Sequence, residues 1–254
     1  MGRQKAKANN RRRDNNNVVH LGAPFSHPSD ALLEQTLGTK ERRNDSPLEA
    51  RNENQQIFLD LLAGKDLVFA SGAAGCGKTY LSASWAAERL KAKEIDRIIV
   101  TRPVLQSGED LGFLPGTIHE KFLPFFRPVY DVLRERLGAS FLEYCLKPEV
   151  GKVEIAPFAY MRGRNFDRAV VLLDEAQNAT AAHMKMFLTR IGEDTQVIVS
   201  GDHNQIDLPD HVKSGLVDAL RRFKDGPLVG RVAFTIDDCV RSALCSEALL
   251  AYKD

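Results

Sequence analysis

The sequence predicts an α/β fold in which a parallel β-sheet is flanked by helices. Three observations predict it. Short, continuous apolar runs recur along the chain, helical stretches lie between most of them, and one run leads into a glycine-rich loop that opens a helix. A continuous apolar run marks a strand buried on both faces. Strands alternating with helices are joined by crossovers, which makes them parallel.

In order, the predicted strands are 67–71 (LVFAS), 97–101 (RIIVT), 153–157 (VEIAP), 169–174 (AVVLLD), 196–200 (QVIVS) and 231–235 (RVAFT). After Lys78, the apolar residues Tyr80, Leu81, Trp85 and Leu90 read as a helix, and 181–190 reads as another. The stretch 103–152 carries Pro103, Pro115, Pro124, Pro128 and Pro148. Proline removes a backbone N–H and clashes with the preceding turn, so helices there are expected to be short or interrupted, within an insertion carried by the sheet's edge.

A chain of 254 residues, 43% hydrophobic and 27% charged, has room for one large α/β domain with tails, or two small domains. Residues 1–46 differ from the rest: they are polar and basic, cannot bury much apolar area, and are expected to be disordered, with a short helix near Ala31–Gln35. Arg3, Lys5, Lys7, Arg11, Arg12 and Arg13 all fall in this tail; without them, 29 basic residues face 34 acidic ones, a net of −5. The folded part is therefore not a basic nucleic-acid-binding domain. The arginine run reads either as a nucleic-acid-binding arm or as a solvated tail.

Cys76, Cys145, Cys239 and Cys245 form no C-x-x-C pair and no zinc spacing with histidine, so they are expected to be free thiols in a reducing cytoplasm. No apolar run reaches the roughly 18 residues of a membrane span, and the basic N-terminus lacks the apolar stretch of a secretory signal. The expectation is a cytoplasmic protein with no membrane partner.

The glycine-rich loop is G-A-A-G-C-G-K-T, matching G-x-x-x-x-G-K-[ST] without a gap. Its residues Gly72, Ala73, Ala74, Gly75, Cys76, Gly77, Lys78 and Thr79, with Tyr80 after them, are the candidate nucleotide-binding residues. Glycines let the backbone curl so that N–H groups point at phosphates, and the following helix adds the positive end of its dipole. Lys78 is placed to reach the β- and γ-phosphates, and Thr79 to put a hydroxyl on Mg²⁺.

Further on, an apolar strand ends in Asp174 and Glu175. The first carboxylate suits Mg²⁺, and the second suits a general base that polarises the attacking water. Gln205, after the next predicted strand, can bond a γ-phosphate or that water. Gln55, upstream of the first strand, reads either as a surface residue or as an amide that reads the adenine edge.

These motifs resemble the PhoH-like ATPases, whose core is similar to the first motor domain of superfamily-one helicases. The residues that carry the likeness include GKTYLSA, TRPV, LGFLPG, YMRGRNFDRAVVLLDEAQNAT, MKMFLTRIG, GDHNQIDLP and CVRS. The resemblance implies a single RecA-like P-loop NTPase domain over 47–254, with ATP and Mg²⁺ as ligands. It makes Gln55 the nucleotide-reading glutamine. It also likens Gly201, Asp202 and Gln205 to helicase motif III, and Arg241 to the family's C-terminal arginine, with Ser242 where many members have histidine. Cys76 stands where a small residue is commoner and is expected to make the loop thiol-reactive.

A single motor domain lacks the arginines that a second would supply. A ring, expected to be a hexamer, follows, with Arg102, Arg162, Arg164, Arg190 and Arg241 as candidates for the contact across subunits. Acting on RNA or single-stranded DNA is the leading expectation; Phe113, Phe122, Phe125, Phe126 and Tyr130 read either as base-stacking aromatics or as core packing. A nucleotide-dependent switch or assembly module without nucleic acid is the alternative, and a small-molecule phosphotransferase ranks last.

Overall fold

The computed structural model describes residues 43–103 and 118–240, backbone only at 118–123 and 159, together with positions 244, 247 and 251. Six strands form one sheet: β1 (Leu67–Gly72), β2 (Arg97–Arg102), β3 (Val153–Pro157), β4 (Ala169–Leu173), β5 (Gln196–Gly201) and β6 (Val229–Phe234). The order is β3-β2-β4-β5-β1-β6, and every neighbouring pair is parallel. β5 thus lies between β1, which ends in the glycine-rich loop, and β4, which ends in the paired acids.

Successive residues of a strand point to opposite faces, so each apolar strand feeds two cores. Val68 and Ala70 pack on one face with Phe58, Leu62, Leu81 and Ile98; Leu67 and Phe69 pack on the other with Ile99, Val171, Phe187 and Leu216. The first face is covered by α1 (Glu53–Gly64), α2 (Lys78–Lys91), α3 (Ile118–Leu137) and α4 (Ala139–Leu146), the second by α5 (Ala181–Leu188) and α6 (Gly215–Arg222). The side chain of Asn52 caps α1 by accepting from the Gln55 N–H at 2.9 Å, and Thr180 caps α5 by accepting from the His183 N–H at 3.2 Å. The buried face of α2 is built largely of serine and alanine, which lets the helix press close to the sheet.

One expectation is corrected. The proline-rich stretch contains α3, a helix of 20 residues with Pro124 and Pro128 inside it. The prolines stand one turn apart on the exposed side, while Phe126, Val129, Tyr130, Leu133 and Leu137 bury the other. That apolar stripe outweighs two missing backbone hydrogen bonds. It also places Phe126 and Tyr130 in the core, where they cannot stack on bases. Phe125 remains exposed; Phe113 and the side chain of Phe122 lie outside the described residues.

The last residues of the tail touch the fold. Residues 43–46 are exposed apart from the half-buried Asn44, yet they are bonded to the fold: the Asn44 N–H donates to the Glu135 carbonyl at 2.9 Å, and Arg136, 1% exposed, donates to the Ser46 carbonyl at 2.8 Å and pairs with Glu88 at 3.2 Å. A buried guanidinium needs partners, and the backbone of this segment supplies one. The arginine run and the helix expected at Ala31–Gln35 lie outside the described residues.

Candidate nucleotide-binding site

The carboxyl ends of β1, β2, β4 and β5 converge on one edge of the sheet, where open α/β folds bind ligands. The loop after β1 is curled by glycine. Gly72, Gly75 and Gly77 have φ of 119°, 82° and 85°. A Cβ on Gly72 would fall 1.9 Å from the Phe234 carbonyl oxygen, so only glycine fits there. Gly77 precedes α2, and the helix has no side-chain cap, which leaves its first N–H groups facing the loop. Lys78 Nζ donates to the carbonyls of Gly72 and Ala73, each at 2.7 Å. Burial lowers the Lys78 pKa; Cys76, Asp202, Asp174 and Glu175 oppose that shift.

The loop is gripped from outside. The Val240 N–H donates to the Gly75 carbonyl at 3.2 Å, and the Cys76 thiol to the Thr235 carbonyl at 3.2 Å. Gln55 is buried; its Nε2 donates to the Cys76 carbonyl at 2.9 Å, and its Oε1 accepts from the Arg51 N–H at 2.9 Å. It is not a surface glutamine: one end of its amide braces the loop, and the other holds the segment before α1. Cys76 is fully buried, and burial pushes its thiol up to about 11. The expectation of a reactive thiol is therefore overturned, since the thiolate is the reactive form.

Across the cleft, Asp174 Oδ1 accepts from Thr79 Oγ1 at 3.2 Å and from Ser200 Oγ at 3.0 Å. Burial raises the Asp174 pKa and the charge of Glu175 adds to it, while Arg102 and the Ser200 hydrogen bond pull it back. Glu175 has φ 51° and ψ 40°, a left-handed conformation that few non-glycine residues adopt. Its Oε1 lies 3.6 Å from Arg102 Nη2, and its Oε2 accepts from Gln177 Nε2 at 2.6 Å. Arg102 also donates to the Phe125 carbonyl of α3 at 2.8 Å. Gln205 Nε2 donates to Asp202 Oδ2 at 3.0 Å.

These groups border a cavity of about 350 Å³. Of the sequence-predicted residues it brings together Ala74, Gly75, Gly77, Lys78, Thr79 and Tyr80 with Asp174, Glu175 and Gln205. Gly72, Ala73, Cys76 and Gln55 support the loop without bordering the cavity, and Arg241 lies outside the described residues. Among the arginines proposed to reach a neighbour, Arg102 and Arg164 are engaged within the chain, Arg164 with the buried Glu154, whereas Arg162 is exposed.

Sequence reasoning missed Gln177 and Ser200 as parts of the site, and the wall formed by Pro128 and Val132. A buried glutamine two residues beyond the paired acids, and a serine near the end of an otherwise apolar strand, were the available signals.

The residues fit a nucleotide with Mg²⁺. Thr79 and Asp174 already approach each other as two ligands of one ion do, and among the described residues no cluster of three or more His, Cys, Asp or Glu forms a protein-only metal site. Magnesium commonly takes one or two side chains plus substrate phosphates.

Comparison with known proteins identifies relatives. The sequence profile described as PhoH-like protein matches residues 47–253. Protein PhoH of Escherichia coli (strain K12) is 65% identical over 213 residues, which are 84% of this chain and 60% of that protein. The PhoH-like protein of Bacillus subtilis (strain 168) is 45% identical over 223 residues, 88% of this chain and 69% of that protein. Among solved structures, the Sulfolobus solfataricus SWI2/SNF2 ATPase core in complex with dsDNA is a distant likeness, with TM-score 0.42, 13% identity, and coverage of 76% of this chain and 46% of that one. Because the profile runs unbroken through the phosphate loop and the paired acids, and the identity holds over most of the folded part, the chain belongs to the PhoH-like protein family, on a P-loop NTPase fold.

Proposed function

We propose that the chain is a Mg²⁺-dependent ATPase that acts on RNA or single-stranded DNA as a ring-shaped oligomer. The observation that carries the ATPase reading is the meeting, in one cavity, of Lys78, the Thr79–Asp174 pair and Glu175. Lys78 exchanges two loop carbonyls for phosphate oxygens. Thr79 and Asp174 would hold Mg²⁺, which would neutralise charge at the phosphates. Glu175 orients the attacking water and accepts its proton.

Support for a nucleic-acid substrate comes from the segment after β5. Gln205 borders the cavity, and the loop on either side of it exposes His203, His211 and Lys213. Motion at the phosphate end thus has a short path to the surface. The ring reading draws support from the exposed Arg162. The chain spans 60% of the length of the Escherichia coli relative, so these assignments concern this domain.

The test is ATP hydrolysis by wild type and Lys78→Ala, with and without single-stranded RNA or DNA. Removing the lysine should lower kcat by about 10²-fold or more. Polynucleotide should raise the wild-type rate, and added salt should weaken that effect. Hydrolysis that depends on Lys78 but ignores every polynucleotide would replace the nucleic-acid reading with a switch or assembly module. Hydrolysis unaffected by Lys78→Ala would end the ATPase reading.

A further inference from the structure

Gln177 is 1% exposed and has no contact with solvent to explain its polarity. Its amide is used at both ends. Nε2 donates to Glu175 Oε2 at 2.6 Å, and Oε1 accepts from the Asp202 N–H at 3.1 Å. The backbone N–H of Asp202 can only donate, so it fixes which end of the amide faces it, and the NH₂ must then face Glu175. A third bond anchors the residue itself: Ser214 Oγ, at the start of α6, donates to the Gln177 carbonyl at 2.7 Å. Gly201 completes the seat, since a Cβ there would fall 2.5 Å from Gln177 Oε1.

Glu175 needs such a brace. Its left-handed backbone is one that a side chain disfavours, and strain of this kind persists only when surrounding contacts over-determine it. Arg102 is 3.6 Å away on the other oxygen, an ion-pair distance too long to fix orientation. The short charge-assisted bond from Gln177 is the contact that sets the direction of the carboxylate.

We propose that Gln177 is a positioning residue for hydrolysis. It aims the Glu175 carboxylate and ties it to the end of β5, so that the acid and the Asp202–Gln205 segment keep one register. The inference rests on the ATPase reading of the site and goes further by naming the residue that aligns the base.

The experiment uses Gln177→Met, which keeps nearly the same length and volume and removes both amide bonds, and Gly201→Ala, which leaves Glu175 and Gln177 in place and pushes on the amide from the Asp202 side. Lys78→Ala is measured alongside. Misalignment of a catalytic group by about 1 Å lowers rate by about 10²-fold. Gln177→Met should therefore lower kcat by about that factor while KM for ATP and the affinity for a fluorescent ATP analogue stay within about threefold, because the phosphate loop is untouched. Gly201→Ala should reproduce the same split. Combined, the two should lose much less than the product of their separate effects, because both act through one amide.

Lys78-dependent hydrolysis with an unchanged kcat in Gln177→Met overturns the proposal and leaves the ATPase reading standing. A KM that rises in step with a falling kcat, or fully multiplicative losses, overturns it too, since general loosening of the fold would do that. Wild-type protein without Lys78-dependent hydrolysis overturns the ATPase reading, and this inference with it.

Discussion

Asp174 shows at the residue scale how the site trades stability for chemistry. Its carboxylate is buried beside a second acid, and both effects raise its folded pKa above the unfolded value. For an acid shifted upward, the stabilising contribution is fully present below the unfolded pKa and is lost as pH rises through the folded one. Wherever the group is ionised, its charge is therefore a burden on the fold. Asp174→Asn keeps an oxygen for Thr79 and Ser200 and removes the charge. Thermal melting without nucleotide should show a melting temperature higher by a few degrees, corresponding to about 1 kcal/mol, while Mg²⁺-dependent hydrolysis is lost. An unchanged or lower melting temperature would mean that the carboxylate is stabilised by more than these contacts. The acids and the phosphate loop were legible in the sequence because each type has one evident use at that spacing. Gln55 and Gln177 were not, because an amide serves equally at a surface, a base edge or a buried bridge, and only the packed structure says which partners surround it.

At the scale of elements, α3 is held by what it buries and not by local propensity. Two prolines inside it lower intrinsic helicity by about 3 kcal/mol each, so the stripe of Phe126, Val129, Tyr130, Leu133 and Leu137 must offset that. Leu133 is fully buried in this stripe. Leu133→Ala should lower unfolding free energy by about 2–5 kcal/mol in urea titration. Because α3 also supplies Pro128 and Val132 to the cavity wall and the Phe125 carbonyl to Arg102, KM for ATP should rise in the same variant. Stability loss with an unchanged KM would show that the wall is held independently. Strands were readable from the sequence because a doubly buried strand has only one pattern, a continuous apolar run. α3 was not, because proline is a strong local signal against a helix, and the stripe that outvotes it is visible only once the facing surface of α2 and the sheet is known. The hydrogen bonds of 43–46 escaped for a similar reason: their partner, Arg136, lies about 90 residues away.

For the whole molecule, the ring proposal predicts that specific ATPase activity rises with protein concentration and levels off as subunits assemble. Arg162→Ala should lower the plateau without changing nucleotide affinity, if that exposed arginine reaches a neighbour's site. A specific rate independent of concentration in a protein that sediments as a monomer would end the ring reading. Among the described residues no helix is long and apolar enough to cross a membrane. The arrangement of the sheet has one more consequence. The phosphate loop and the paired acids hang from β1 and β4, which never touch through backbone bonds; β5 is laddered to both. Two ladder spacings, roughly 9–10 Å in all, separate the two halves of the catalytic gap. That gauge is a property of peptide geometry, not of any side chain. Relatives that differ at more than half of their positions can therefore change what borders the gap, and so its chemistry and timing, while its span stays as the backbone cut it.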